Sequence, residues 1–233
     1  MYEIVLFDLD GTLTDPAEGI TKSVEYALNK WNISVADRKS LFPFIGPPLI
    51  ESFMEFYGFD REKAVTSVSY YREYFAKTGL FENEIYPGIK EMLTRLKKAG
   101  KRLAVATSKP DEFARKILEH FEILEYFDFV GGAAMDETRT KKSEVIEYTL
   151  EKMGVSANDV SRVVMVGDRK HDVEGAACFG IDTIGVLYGY GSKEELEKAG
   201  AKFTAPTVSS VADTILGTVL LPHGCVLWHE DVH

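Results

Sequence analysis

The chain has 233 residues, room for one large domain or two modest ones, and its 45% of hydrophobic residues suffices for a proper core. A formal charge of −10 argues against nucleic-acid polymers and anionic membranes as partners, since their affinity rests on clustered Lys and Arg, but leaves small anionic substrates open. With no apolar run of roughly 18 residues, no cleavable leader before the first strand, and only Cys178 and Cys225 as cysteines, the chain reads as soluble and cytoplasmic.

The first expected element is a buried strand over residues 3–8, built on Ile4-Val5-Leu6-Phe7. It runs out into Asp8-Leu9-Asp10-Gly11-Thr12-Leu13-Thr14. A strand of this kind delivers its last side chain to the carboxyl edge of a sheet, where open α/β folds bind ligands. The glycine turn can splay the two carboxylates, so that one attacks an electrophile while the other handles protons. An ordinary Asx turn is the bland alternative.

Residues 15–79 break the strand–helix alternation and carry only helical patterns. Asp15-Pro16 reads as an N-cap and first helical residue. Ile20, Val24, Ala27, Leu28 and Trp31 then mark one face. A second helix is expected over 49–57, stopped by Gly58. Asp60 caps a third, with Ala64, Val65, Val68, Tyr71 and Phe75 on its inner side and Gly79 after it. The segment reads as an inserted cap, with Asp15 and residues 80–88 as linkers.

Beyond it, Ile89, Met92, Leu93 and Leu96 give a helix over 88–99, with Gly100 as its stop. A strand over 103–107 runs into Thr107-Ser108-Lys109-Pro110 and a helix over 111–121. A strand over 128–131 follows. Lys141-Lys142 precedes a helix over 143–153. A strand over 163–167 runs into Gly167-Asp168-Arg169-Lys170-His171-Asp172, and a further strand covers 183–187. The last helical face lies near 208–216. Alternation of this kind implies a parallel sheet with helices on both faces. The tail after residue 216 could form two short strands; its His223, His229, Glu230 and His233 are ligand types but read as a polar terminus.

The order of an Asp pair, a hydroxyl, a lysine and a second acidic pair resembles the haloacid dehalogenase superfamily of phosphatases, over roughly residues 1–215. The resemblance implies a Rossmann-like α/β core (1–14 and 80–216), an all-helical cap (15–79) and an extra tail (217–233). It implies Asp8 as nucleophile, forming an aspartyl-phosphate, and Asp10 as general acid and base. Mg²⁺ would be held by Asp8, the main-chain carbonyl of Asp10 and Asp168, with Asp172 supporting through hydrogen bonds or a bridging water. Thr107 and the amide of Ser108 would bind the phosphoryl oxygens. Gly11 permits a tight turn close by, and Lys142 fits the phosphate lysine better than Lys141. Arg169 and His171 read as rim residues or salt-bridge partners.

Asp10 points to phosphoryl transfer rather than dehalogenation; a phosphosugar mutase and a non-catalytic binding protein on the same fold stay open. Phe44-Ile45-Gly46-Pro47-Pro48-Leu49, Tyr86-Pro87-Gly88 and Gly185-Val186-Leu187-Tyr188-Gly189-Tyr190-Gly191-Ser192 look like the 5′-nucleotidase-like group, close to phosphoglycolate phosphatases. That implies a small phosphorylated metabolite as partner: a nucleoside 5′-monophosphate or similar ester, with phosphoglycolate as runner-up. Ile45 and Gly46, and more weakly Arg72 and Tyr71, are expected to meet the leaving group. A monomer or weak homodimer is expected.

Overall fold

A strand with no polar face has to be covered on both sides. Strand β1 (Ile4–Phe7) is such a segment, buried at every residue. It runs through the middle of a sheet in the computed structural model of the protein, which describes residues 2–136 and 138–218. The chain then forms a two-residue strand, β2 (Thr14–Asp15), and helices α1 (Ala17–Asn29), α2 (Leu49–Tyr57) and α3 (Arg61–Tyr74). It returns through β3 (Glu84–Ile85), which pairs antiparallel with β2. Helices and strands then alternate: α4 (Ile89–Lys98), β4 (Arg102–Pro110), α5 (Asp111–His120), β5 (Phe129–Ala133), α6 (Lys142–Lys152), β6 (Val163–Gly167), α7 (Lys170–Ala177), β7 (Asp182–Val186), α8 (Lys193–Ala199), β8 (Phe203–Ala205) and α9 (Val208–Leu216).

The main sheet has six strands in the order β5-β4-β1-β6-β7-β8, all pairings parallel. The order reverses at β1, so a crevice opens at the carboxyl ends of β1, β4 and β6. Phe7 is level with both Val105 and Val166. Asp8, Thr107 and Asp168 therefore emerge at one edge. On one sheet face, Leu6 packs with Ile146 and Ala176 from α6 and α7. On the other, Val5 and Phe7 pack with Leu93, Ile117 and Val211, and this core continues into the insert through Val24, Phe44, Val68 and Phe75.

The parallel sheet with its helical insert is present as expected, and α2 spans the residues its spacing marked. The differences are local. Helix α1 begins at Ala17, with Pro16 at its N-cap and Asp15 Oδ1 accepting from the Ala17 amide at 3.0 Å. Val65, expected on the inner side of α3, is exposed. Arg38–Phe44 forms a 3-10 turn, and α3 runs on into a wider π turn over Phe75–Gly79. The linkers at either end of the insert are joined as the β2–β3 ribbon, and β8 adds an edge strand. The tail beyond residue 218, with the expected hairpin and its histidines, lies outside the described residues. Among the described residues no helix is long and apolar enough to cross a membrane.

Candidate active site

Asp8 follows β1, and its amide donates to the Val166 carbonyl at 2.9 Å, which ties it to β6. Lys142 opens α6 and sends its ammonium to the same place. Its Nζ lies 2.9 Å from Asp8 Oδ1 and 2.7 Å from Asp172 Oδ1, and donates to the Ala106 carbonyl at 3.1 Å. To get there the side chain passes over Gly175 of α7, where a Cβ would stand 2.8 Å from Lys142 Cγ. Burial works against the ammonium, but Asp172 and Asp8 outweigh it and hold the lysine above its ordinary pKa. Lys141 is exposed.

One carboxylate oxygen each from Asp8, Asp168 and Asp172 lie within 4.8 Å of one another. Asp168 Oδ2 accepts from the Tyr190 amide at 2.7 Å, while its Oδ1 is buried with no hydrogen-bond partner among the described residues. Asp172 Oδ2 accepts from the Arg169 amide at 3.1 Å and so caps α7, and Oδ1 faces Lys142. Asp172 is thus both a helix-capping acid and a neighbour of Asp8 and Asp168 in the carboxylate group. Burial, then the neighbouring carboxylates, raise Asp168 well above the usual range. Burial likewise raises Asp172, to about 6, against the pull of Lys142. Lys142 pairs with Asp8 and Asp172 and leaves Asp168 beside them without an ion pair among the described residues, a surplus of negative charge that a divalent cation would relieve. An all-oxygen donor set suits a hard cation such as Mg²⁺, so these residues fit the metal that the sequence implies.

Asp10 belongs to a different pair. Its Oδ2 lies 2.9 Å from Lys109 Nζ, and its Oδ1 is buried without a hydrogen-bond partner among the described residues. Burial raises its pKa against the pull of Lys109. Its carboxylate is therefore not one of the cluster of three. Lys109 is the residue that sequence reasoning missed: it stood inside the Thr107–Pro110 motif, but nothing in the spacing distinguished it from a solvated lysine. Thr107 is buried, and its hydroxyl accepts from the Lys109 amide at 3.3 Å. It does not cap α5, whose N-cap is Pro110.

Gly11 has φ +80, and a Cβ there would stand 2.2 Å from Asp168 Oδ2. Both the turn and the approach of Asp168 demand glycine. Gly11→Ala is expected to displace Asp168 and lower kcat by about 100-fold, the scale of an ångström-level misplacement. Steady-state kinetics on a variant shown to be folded by circular dichroism would check this.

Between the sheet edge and the insert lies a cavity of ≈ 80 Å³. Asp10, Ser108 and Lys109 line it from below; Phe44, Gly46, Tyr71, Arg72 and Phe75 line it from the insert. Ile45 does not line it: its side chain is wholly buried in the hydrophobic core, which corrects its expected role at the leaving group. Its carbonyl instead accepts from Arg169 at 2.9 Å, and Arg169 also pairs with Glu195 at 2.9 Å. Arg169 thus fastens the 44–49 loop to the acidic motif. His171 is half-buried and its pKa is lowered, first by burial, then by Arg169 and Lys170. Tyr190 hydrogen-bonds Asp15 at the entry to the insert.

Residues 5–186 match the family model described as haloacid dehalogenase-like hydrolase. The chain is 49% identical over 195 residues to a Pseudomonas aeruginosa protein named 5′-nucleotidase, covering 84% of this chain and 87% of that one. It is 41% identical over 214 residues to the tyrosine-protein kinase PtkA of Mycobacterium tuberculosis, covering 91% of this chain and 70% of the other. A solved structure from Clostridium acetobutylicum, described as a predicted phosphatase, is similar with a TM-score of 0.90 at 49% identity, over 93% of this chain and 99% of that one.

Proposed function

We propose how this chain, which belongs to the haloacid dehalogenase-like hydrolase family and is a phosphatase, performs its reaction: Asp8 attacks the phosphorus of a small phosphomonoester. The Asp8–phosphorus bond forms as the ester P–O bond breaks, and Asp10 gives its proton to the departing alkoxide oxygen. Water then attacks the aspartyl-phosphate while Asp10 takes its proton, which frees Asp8 and releases phosphate.

The observation that carries this reading is the separation of two carboxylates two residues apart into different surroundings. Asp8 faces Lys142, beside Asp168 and Asp172. Asp10, with its pKa raised by burial, lines the cavity where a leaving group would depart. Divergent environments of this kind support one carboxylate as nucleophile and the other as acid. Lys142 neutralises charge on Asp8 and the incoming phosphate, and the Thr107 hydroxyl and Ser108 amide donate to phosphoryl oxygens. Asp8, Asp168, the Asp10 carbonyl and the adjoining Asp172 would hold Mg²⁺, which when bound supplies the positive charge that lets an anionic carboxylate meet an anionic phosphate.

For the substrate we favour a nucleoside 5′-monophosphate or a similar small ester, on the 49% identity to the 5′-nucleotidase and on the aromatic cavity lining. One observation favours phosphoglycolate as a second reading: ≈ 80 Å³ is small beside the roughly 300–1,000 Å³ of pockets for larger ligands, so a nucleoside needs the insert to move. Phosphate release across a panel of nucleoside 5′-monophosphates, phosphoglycolate and sugar phosphates tests the choice. The nucleotides are expected to give the highest kcat/KM; a lead of about tenfold for phosphoglycolate, 1.4 kcal/mol, would reverse it.

A further inference from the structure

Lys109 is a buried cation that the reaction just described leaves unused. It stands near the end of β4, 8% exposed, with its ammonium on Asp10 Oδ2. Over the same ammonium lies the ring of Phe75, its centroid 4.5 Å from Nζ. Phe75 belongs to the insert, in the π turn that follows α3. The ring is buried and packs on Phe113 of α5, centroids 5.5 Å apart. An ammonium out of water needs partners. Here one partner comes from the sheet edge and the other from the insert.

We propose that Lys109 is the positioning residue of Asp10, and that it holds the acid in place while Phe75 of the insert lies over it, so that closing the insert and aligning the acid are one event. Lys109 tethers Oδ2 of Asp10, which leaves the unpartnered Oδ1 for the ester oxygen. When the insert lifts, Phe75 leaves with it. Water then reaches the ammonium, and a lysine on a flexible stem no longer fixes the carboxylate. The acid is thus aligned only when the leaving group is enclosed. This rests on the reading of Asp10 as the proton donor to the leaving group.

The test compares two esters by kcat/KM, which reports only steps up to the first phosphoryl transfer. Para-nitrophenolate departs without a proton; the alkoxide of a nucleoside 5′-monophosphate requires one. Lys109→Met keeps the apolar stem and removes the charge. It should lower kcat/KM on the nucleotide about tenfold or more beyond its loss on para-nitrophenyl phosphate, within the range of general acid catalysis. Lys109→Arg should restore part of that difference. Phe75→Leu should show the same selective loss at smaller amplitude, in a protein whose melting curve shows it folded. Equal losses on both esters would make Lys109 a phosphate binder or a structural prop, and no loss would remove it from the reaction. A selective loss in Lys109→Met with none in Phe75→Leu would overturn the link to the insert. Asp10→Asn, which should show the selective loss in full, tests the reading of Asp10 as the acid, and the Lys109 variants test the lysine, so the two fail separately.

Discussion

Asp8→Asn is expected to lower kcat by on the order of 10³-fold or more while leaving the fold intact. The amide has the shape of the carboxylate but does not attack phosphorus. The substitution is mild for the fold because Lys142 keeps Asp172 at 2.7 Å and the Ala106 carbonyl at 3.1 Å. It also removes a like charge from beside Asp168, whose pKa is raised by burial, by Asp172 and by Asp8. Without added cation, the variant should therefore melt no lower than the wild type near neutral pH. Single-turnover kinetics and a thermal melt check both halves. A variant retaining more than about 1% of the wild-type rate would end the covalent route, since loss of a nucleophile costs far more than that.

Removal of the divalent cation should have the next largest effect. Turnover should vanish on exhaustive chelation, return with Mg²⁺, and be suppressed by Ca²⁺, whose larger and looser oxygen shell suits the site poorly. The same carboxylates give a stability signature. Asp172 is raised to about 6 by burial, and burial with the neighbouring carboxylates also raises Asp168 well above the usual range. A carboxyl whose folded pKa exceeds its unfolded value of about 4 destabilises the fold as pH rises through that window, because the ionised form is disfavoured only in the folded state. Below the window both states hold the proton and the penalty is absent. The cation-free protein should thus lose stability from Asp172 between about pH 4 and 6, with Asp168 acting in the same direction. Mg²⁺ should raise the melting temperature more near pH 7.5 than near pH 5, since its ligands must be ionised. Equal thermal shifts at the two pH values, or full activity after chelation, would remove the cation from this site.

Much of the body was legible because its signals are local. The apolar runs in β1, β4 and β6 and the i, i+3, i+4 spacing of Ile89, Met92, Leu93 and Leu96 each declare an element from a few neighbours. Alternation of the elements then implies the parallel sheet, and the sheet brings Asp8, Thr107 and Asp168 to one edge. The parts that were not legible depend on partners far away in sequence. Strands β2 and β3 have two residues each, and each is a strand only because the other lies beside it. Strand β8 has three residues and one buried position. Within the site, a spacing of four residues places Asp168 and Asp172 at a helix start, but does not reveal that Asp172 also turns to Lys142. Lys109 reads as a solvated lysine until the fold sets Asp10 on one side of it and Phe75 on the other. Ile45 shows the converse: a motif position whose contribution is its carbonyl, which side-chain chemistry does not advertise.

The β2–β3 ribbon has a consequence for how such a chain could diversify. Thr14 lies opposite Ile85 and Asp15 opposite Glu84, so the chain leaves the sheet and comes back to it at one gate. To the sheet, everything between is a loop with its ends already tied. Doubling the length of a flexible loop costs only about 0.6 kcal/mol in closure entropy. The segment behind the gate is thus free to lengthen, shorten or be exchanged for another, provided that its replacement covers the same apolar face and supplies a ring for Lys109. A new choice of substrate can be grafted on at this gate while the carboxylates beneath it stay where they are.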